Sequence, residues 1–85
     1  MESDKQILTA IKEGKDDQVL NHLYTDIFPK IESFVLKNGG DKDEAADIFQ
    51  DAVVIFYKQV KKEKFKEENP ISGFIFTVSR NLWYN

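Results

Sequence analysis

Cysteine is absent from this 85-residue chain, and histidine occurs once, proline twice and glycine four times. No disulfide frame, thiolate metal ligand or thiol nucleophile can therefore form, and His22 alone cannot supply a zinc ligand set. No metal site or cofactor is expected. Nor is an enzyme: His22 lacks catalytic partners, Ser72 precedes a lone glycine, and the carboxylates sit where helix capping or solvation accounts for them. Long apolar runs are missing too, since the longest, Ala52 to Tyr57, falls far short of the ~20 residues that cross a bilayer. The opening MESDKQ is acidic and polar where a signal peptide would be basic and then apolar, so the expected location is cytoplasmic. Strand-like alternation of useful length and internal repeats are also lacking.

What is present suffices for one core. Hydrophobic residues make up 41% and charged residues 32%, with seven Phe, three Tyr and one Trp. A chain this short buries roughly 60 to 65% of its unfolded surface, so those rings must carry much of the core. A single domain over residues 1–85 is expected.

The formal net charge of −3 conceals a division. Residues 1–51 hold six lysines against twelve acidic residues, whereas residues 52–85 hold five lysines and Arg80 against three glutamates. Lys58, Lys61, Lys62, Lys64 and Lys66 gather around Phe65, a patch suited to a polyanion. A solvated helix end, favoured by the helix dipole, explains the same cluster.

Apolar spacing and punctuation predict four helices and an all-α, four-helix bundle. Ser3 with Gln6 makes a capping box for the first, which carries Ile7, Leu8 and Ile11 and closes at Gly14. Asp16 or Asp17 caps the second, whose stripe of Leu20, Leu23, Tyr24, Ile27, Phe28, Ile31, Phe34 and Val35 continues through a kink at Pro29 and stops at Asn38, Gly39 and Gly40. Asp41 with Glu44 opens the third, which runs to about Lys62 on Ala45, Ile48, Phe49, Ala52, Phe56 and Val60. Asn69 caps the fourth, with Pro70 at its first position and a stripe of Ile71, Phe74, Ile75, Val78 and Leu82. No closing cap follows Asn85, so the chain is expected to be the N-terminal part of a longer protein.

Two helices carry more than a core requires. Opposite its stripe, the third presents Asp47, Gln50, Asp51, Val54, Tyr57, Lys58 and Lys61, either a solvated face or a surface that receives another helix. Outside its own stripe, the fourth carries Phe76, Arg80, Trp83 and Tyr84 among Thr77, Ser79 and Asn81. Aromatic faces can stack unpaired bases, arginine can hold phosphate and asparagine can read a base edge. Alternatively, Phe76 and Trp83 pack against the second helix.

In order and spacing, DKDEAADIFQDAV from Asp41 and ISGFIFTVSRNL from Ile71 resemble region 2 of bacterial extracytoplasmic-function (ECF) sigma factors of the sigma-70 family. Ile11-Lys-Glu-Gly, Leu23-Tyr24 and Phe28-Pro29 extend the resemblance over nearly the whole chain. It implies a promoter-recognition module that binds core RNA polymerase and helps to open the minus-ten element. Asp47, Gln50, Asp51, Val54 and Tyr57 would face the clamp helices of the polymerase's largest subunit. Lys58, Lys61, Lys62, Lys64, Phe76, Arg80, Asn81, Trp83 and Asn85 would lie against the non-template strand of promoter DNA, with Asn81 close to a captured base. An anti-sigma factor is a further partner that the resemblance admits. The family's domain for the minus-thirty-five element has no counterpart in these residues. Departures from the family pattern are Ile55 in place of a basic residue, Phe74 in place of Trp, and the bulky Leu82, Trp83 and Tyr84. The competing reading is a small helical protein-interaction domain without DNA binding. Salt dependence separates the two, because contacts to phosphates weaken steeply with salt and apolar contacts do not.

Overall fold

Asp41 and Glu44 exchange hydrogen bonds as their spacing predicts: the Glu44 N–H donates to Asp41 Oδ1 at 2.8 Å and the Asp41 N–H to Glu44 Oε1 at 3.1 Å. That reciprocal cap opens the longest of five helices in the computed structural model, which describes residues 4–85. The helices are α1 (Asp4–Lys12), α2 (Asp16–Asp26), α3 (Phe28–Lys37), α4 (Lys42–Lys61) and α5 (Ile71–Tyr84). Among the described residues there is no strand. The proposed Ser3 cap lies outside them.

The single kinked helix expected over residues 16–38 is instead two. Pro29 has no N–H to offer the Thr25 carbonyl, and Ile27 leaves regular helical geometry at φ −109 and ψ −42. Pro29 then falls in the first turn of α3, where an N–H would lack an intrahelical partner anyway. The inward face survives the break, with Leu23, Ile27, Ile31 and Val35 all buried.

Two further caps differ from expectation. Lys15, not Asp16 or Asp17, occupies the position before α2, and its side chain makes no capping bond. The two aspartates stand in the first turn instead, where their charge suits the positive end of the helix dipole. Pro70, not Asn69, precedes α5 and supplies no side-chain acceptor. The carboxylate of Asp4 does so from α1, accepting the Ile71 N–H at 2.9 Å.

Helix α4 is the centre of the assembly and packs on α1, α3 and α5. Its Phe49 and Phe56 are fully buried. Tyr24 and Phe28 meet Phe49 edge-on, with centroids 4.8 and 5.2 Å away, and Phe65 meets Phe56 edge-on at 5.3 Å. Leu20 was expected inside but remains 40% exposed, because Val19 takes the inward position. Neighbours on a helix point about 100° apart, so only one of the two can face the core.

Of the stripe expected on α5, Ile71 and Ile75 are fully buried and Phe74, Val78 and Leu82 only partly, while Ser79, not expected there, completes the buried row. The helix is wedged between α4 and α3, which centres burial on one row and leaves both flanks half-covered. Phe74, Val78 and Leu82 form one flank and Phe76 and Trp83 the other, all partly buried. At the α3–α4 turn Gly39 adopts φ +93, which favours glycine, and a Cβ on Gly40 would collide with Val35 and come within 2.8 Å of the Trp83 ring. The indole thus rests directly on the backbone of that turn.

Candidate functional site

Because α4 is sheathed on three sides by other helices, its remaining surface is a narrow arc. At 100° per residue Asp47, Gln50, Asp51, Val54, Tyr57, Lys58 and Lys61 fall within about one third of a turn. All are exposed except Tyr57, which is half-buried. The sequence-predicted members Asp47, Gln50, Asp51, Val54 and Tyr57 therefore share one face.

Beside that arc lies an open groove of about 370 Å³ between α2 and α4. Gln50, Val53, Val54 and Tyr57 line it from α4, and Asp16, Asp17, Leu20 and Tyr24 from α2. Val54 is 50% exposed and Leu20 40%, so two aliphatic side chains face each other across it with half their surface in water. The end near the start of α2 is acidic. There the Tyr57 hydroxyl donates to the Asp16 carbonyl at 3.3 Å, and one carboxylate oxygen of Asp16 is buried without a hydrogen-bond partner. Burial, then the charges of Asp16 and Asp17, push the Tyr57 hydroxyl up to about 12, so it remains a neutral donor. Asp16, Asp17 and Leu20 were missed as site residues by the sequence reading. The available signal was the adjacent pair Val19-Leu20, only one of which can be core.

A second surface runs from the end of α4 through the connection to α5. The N–H groups of Lys64 and Phe65 both reach the Gln59 carbonyl, at 2.9 and 3.2 Å, closing α4 with Glu63 at φ +57. Phe65 then turns inward and packs edge-on against Phe74, 5.2 Å between centroids, and against Phe56. Pinned by that ring, the connection keeps Lys62, Lys64 and Lys66 exposed. On α5 Arg80 and Asn81 are exposed, as is Asn85 just past its end, and Asn81 stands two turns beyond Phe74 on the flank that faces the connection.

Other predicted strand contacts lie elsewhere. Lys61 points toward α2, with Nζ 3.7 Å from Asp16, and Lys58 shares the outward arc of α4. Phe76 spends its edge on Phe34, 5.6 Å between centroids, and Trp83 lies on Gly40. Both rings are half-buried, Phe76 against α3 and Trp83 against the α3–α4 turn, while Tyr84 is 66% exposed although it too touches Phe34. His22 is half-buried, with Nε2 3.3 Å from Asp26.

Among the described residues no cluster of three or more His, Asp or Glu could hold a metal, and no helix is long and apolar enough to cross a membrane. Residues 23–85 match the family model described as Sigma-70 region 2. Neither a curated protein nor a solved structure matches the chain.

Proposed function

The chain belongs to the sigma-70 region 2 family, and on that premise we propose that it is the non-catalytic module of an ECF-type sigma factor that docks on core RNA polymerase and opens the minus-ten element in the cytoplasm. The observation that carries this reading is the bare arc of α4 with its groove. Leu20 on α2 and Val54 on α4 stand half-exposed together beside carboxylates and an amide, an apolar patch that a partner helix would cover. Against the polymerase clamp helices the aliphatic pair excludes water while Asp47, Asp51 and Gln50 meet arginines at the rim.

The exposed lysines of the connection and the outer face of α5 form the DNA side. Lys62 and Lys64 attract the backbone of the non-template strand, and Arg80, Asn81 and Asn85 are open to its bases and phosphates. Phe76 and Trp83 contribute by shaping the α5 surface, and a stacking role requires Phe76 to leave α3 or Trp83 to leave the α3–α4 turn. Melting is differential binding: contacts offered only to the opened strand offset part of the cost of unpairing. An anti-sigma factor covering the α4 arc would compete with the polymerase for the same residues.

The test is a calorimetric titration with a soluble fragment carrying the clamp helices, run on the native chain and on Asp51→Arg. Saturable binding that the variant loses is expected. Asp51 is exposed, so the substitution should change folding stability by no more than about 0.5 kcal/mol. Absence of binding by the folded native chain would refute the docking surface.

A further inference from the structure

We propose that Asp4 is a positioning residue for promoter-strand recognition: from α1 it caps the helix that faces DNA and fixes the joint at which the basic connection ends. The proposal rests on the functional reading above for what α5 does, but not for the cap itself.

A helix start leaves its first N–H groups without intrahelical partners, and a local side chain ordinarily satisfies one of them. At α5 none does so, since Pro70 holds the cap position with an extended backbone, φ −67 and ψ 135, and no acceptor. Asp4 Oδ2 accepts the Ile71 N–H at 2.9 Å from 67 residues away. The same carboxylate stands in the first turn of α1, so the positive ends of two helix dipoles converge on one negative charge. Around the bond, Ile7 and Ile71 are buried at 2% and 1% exposure, which confines the joint.

This cap completes a three-point mounting of the basic connection. Its beginning is held by the Gln59 carbonyl, its middle by Phe65 on Phe56 and Phe74, and its end by Asp4. The first two anchors belong to α4 and α5 themselves. The third adds a hydrogen bond from α1, which also packs on α2 and α4. Removing it frees the first turn of α5 and the lysine-bearing segment before it, while the α4 arc, held by that helix's own hydrogen bonds, keeps its geometry.

The experiment compares the native chain with Asp4→Ala, Asp4→Asn, and Asp4→Ala combined with Pro70→Ser. Asparagine keeps an acceptor oxygen, and a serine at position 70 supplies the missing local cap. Three quantities are read: amide hydrogen exchange at Ile71, Ser72 and Gly73 relative to Phe49, affinity for a single-stranded minus-ten-like oligonucleotide, and affinity for the clamp helices. Loss of one cap should accelerate exchange at the α5 start roughly fivefold in Asp4→Ala and weaken strand binding by a similar factor, with clamp-helix affinity within about twofold. Asp4→Asn should recover most of both losses, and the Pro70→Ser combination, whose hydroxyl reaches the Ser72 or Gly73 N–H, should recover strand binding and exchange at those two residues but not at Ile71. Unchanged exchange at Ile71, or equal acceleration at Phe49, would overturn the cap as a local anchor. Faster exchange with unchanged strand binding would overturn its role in recognition. If the native chain binds no single strand, the positioning role falls with the DNA reading, and the exchange data still decide whether the cap exists.

Discussion

The groove between α2 and α4 yields a quantitative prediction for docking. Burying an aliphatic side chain completely is worth about 1.5 to 3 kcal/mol, and folding leaves 40% of Leu20 and 50% of Val54 unburied. Covering the remainder would therefore release about 0.6 to 1.2 kcal/mol at Leu20 and about 0.75 to 1.5 kcal/mol at Val54. Leu20→Gln together with Val54→Thr replaces both with polar side chains of similar size, so most of that gain should disappear. The expected loss of clamp-helix affinity is about tenfold to a hundredfold, measured by calorimetric titration. The remainder of each side chain is already buried by the fold, so the free energy of unfolding should fall as well, by about 1 to 2 kcal/mol per substitution. Binding within about twofold of native, in a protein whose Asp51→Arg variant does lose binding, would show that the partner rests on the carboxylate rim and leaves the groove empty. A larger fall in stability would instead mean that these side chains belong to the core.

Two further predictions concern the fold. Ser79 is 2% exposed with its hydroxyl unpaired, so Ser79→Ala should be neutral or stabilising by about 1 kcal/mol in urea unfolding, and destabilisation of that size would imply an unseen partner for the hydroxyl. Tyr57 is raised to about 12 from an ordinary 10, so its contribution to stability is complete below pH 10 and is lost as pH climbs through 12. Tyr57→Phe should accordingly flatten the decline of stability between those pH values, and an equally steep decline in the variant would assign it to other groups.

The sequence made the helices legible where local chemistry determines them. The Asp41–Glu44 box and the Gly14 and Gly39 turns each involve residues a few positions apart, so spacing alone carries the information. It was weaker wherever a partner far along the chain decides the outcome. Asn69-Pro70 is a sound helix start by composition, yet the acceptor that α5 uses comes from Asp4. Leu20 fits an inward stripe as well as Val19 does, and the choice depends on how α2 lies against α4. Ser79 is the least hydrophobic member of its row, but the wedge of α5 between α3 and α4 buries it regardless.

The same distinction explains why the proposed docking face was more legible than the proposed DNA face. Residues on one helix are tied by its 3.6-residue period, so Asp47, Gln50, Asp51, Val54 and Tyr57 had to share a side once α4 was recognised. Their neighbours from α2 could not be inferred that way, since the contact is tertiary. The set proposed to face DNA spans a helix end, an irregular connection and a second helix, and no period relates those pieces. Phe65 ties them together by turning inward from the centre of a lysine cluster. An aromatic residue among lysines reads from composition as a stacking platform for bases. Here its ring is committed to Phe56 and Phe74, so its contribution is to hold the surrounding lysines outward.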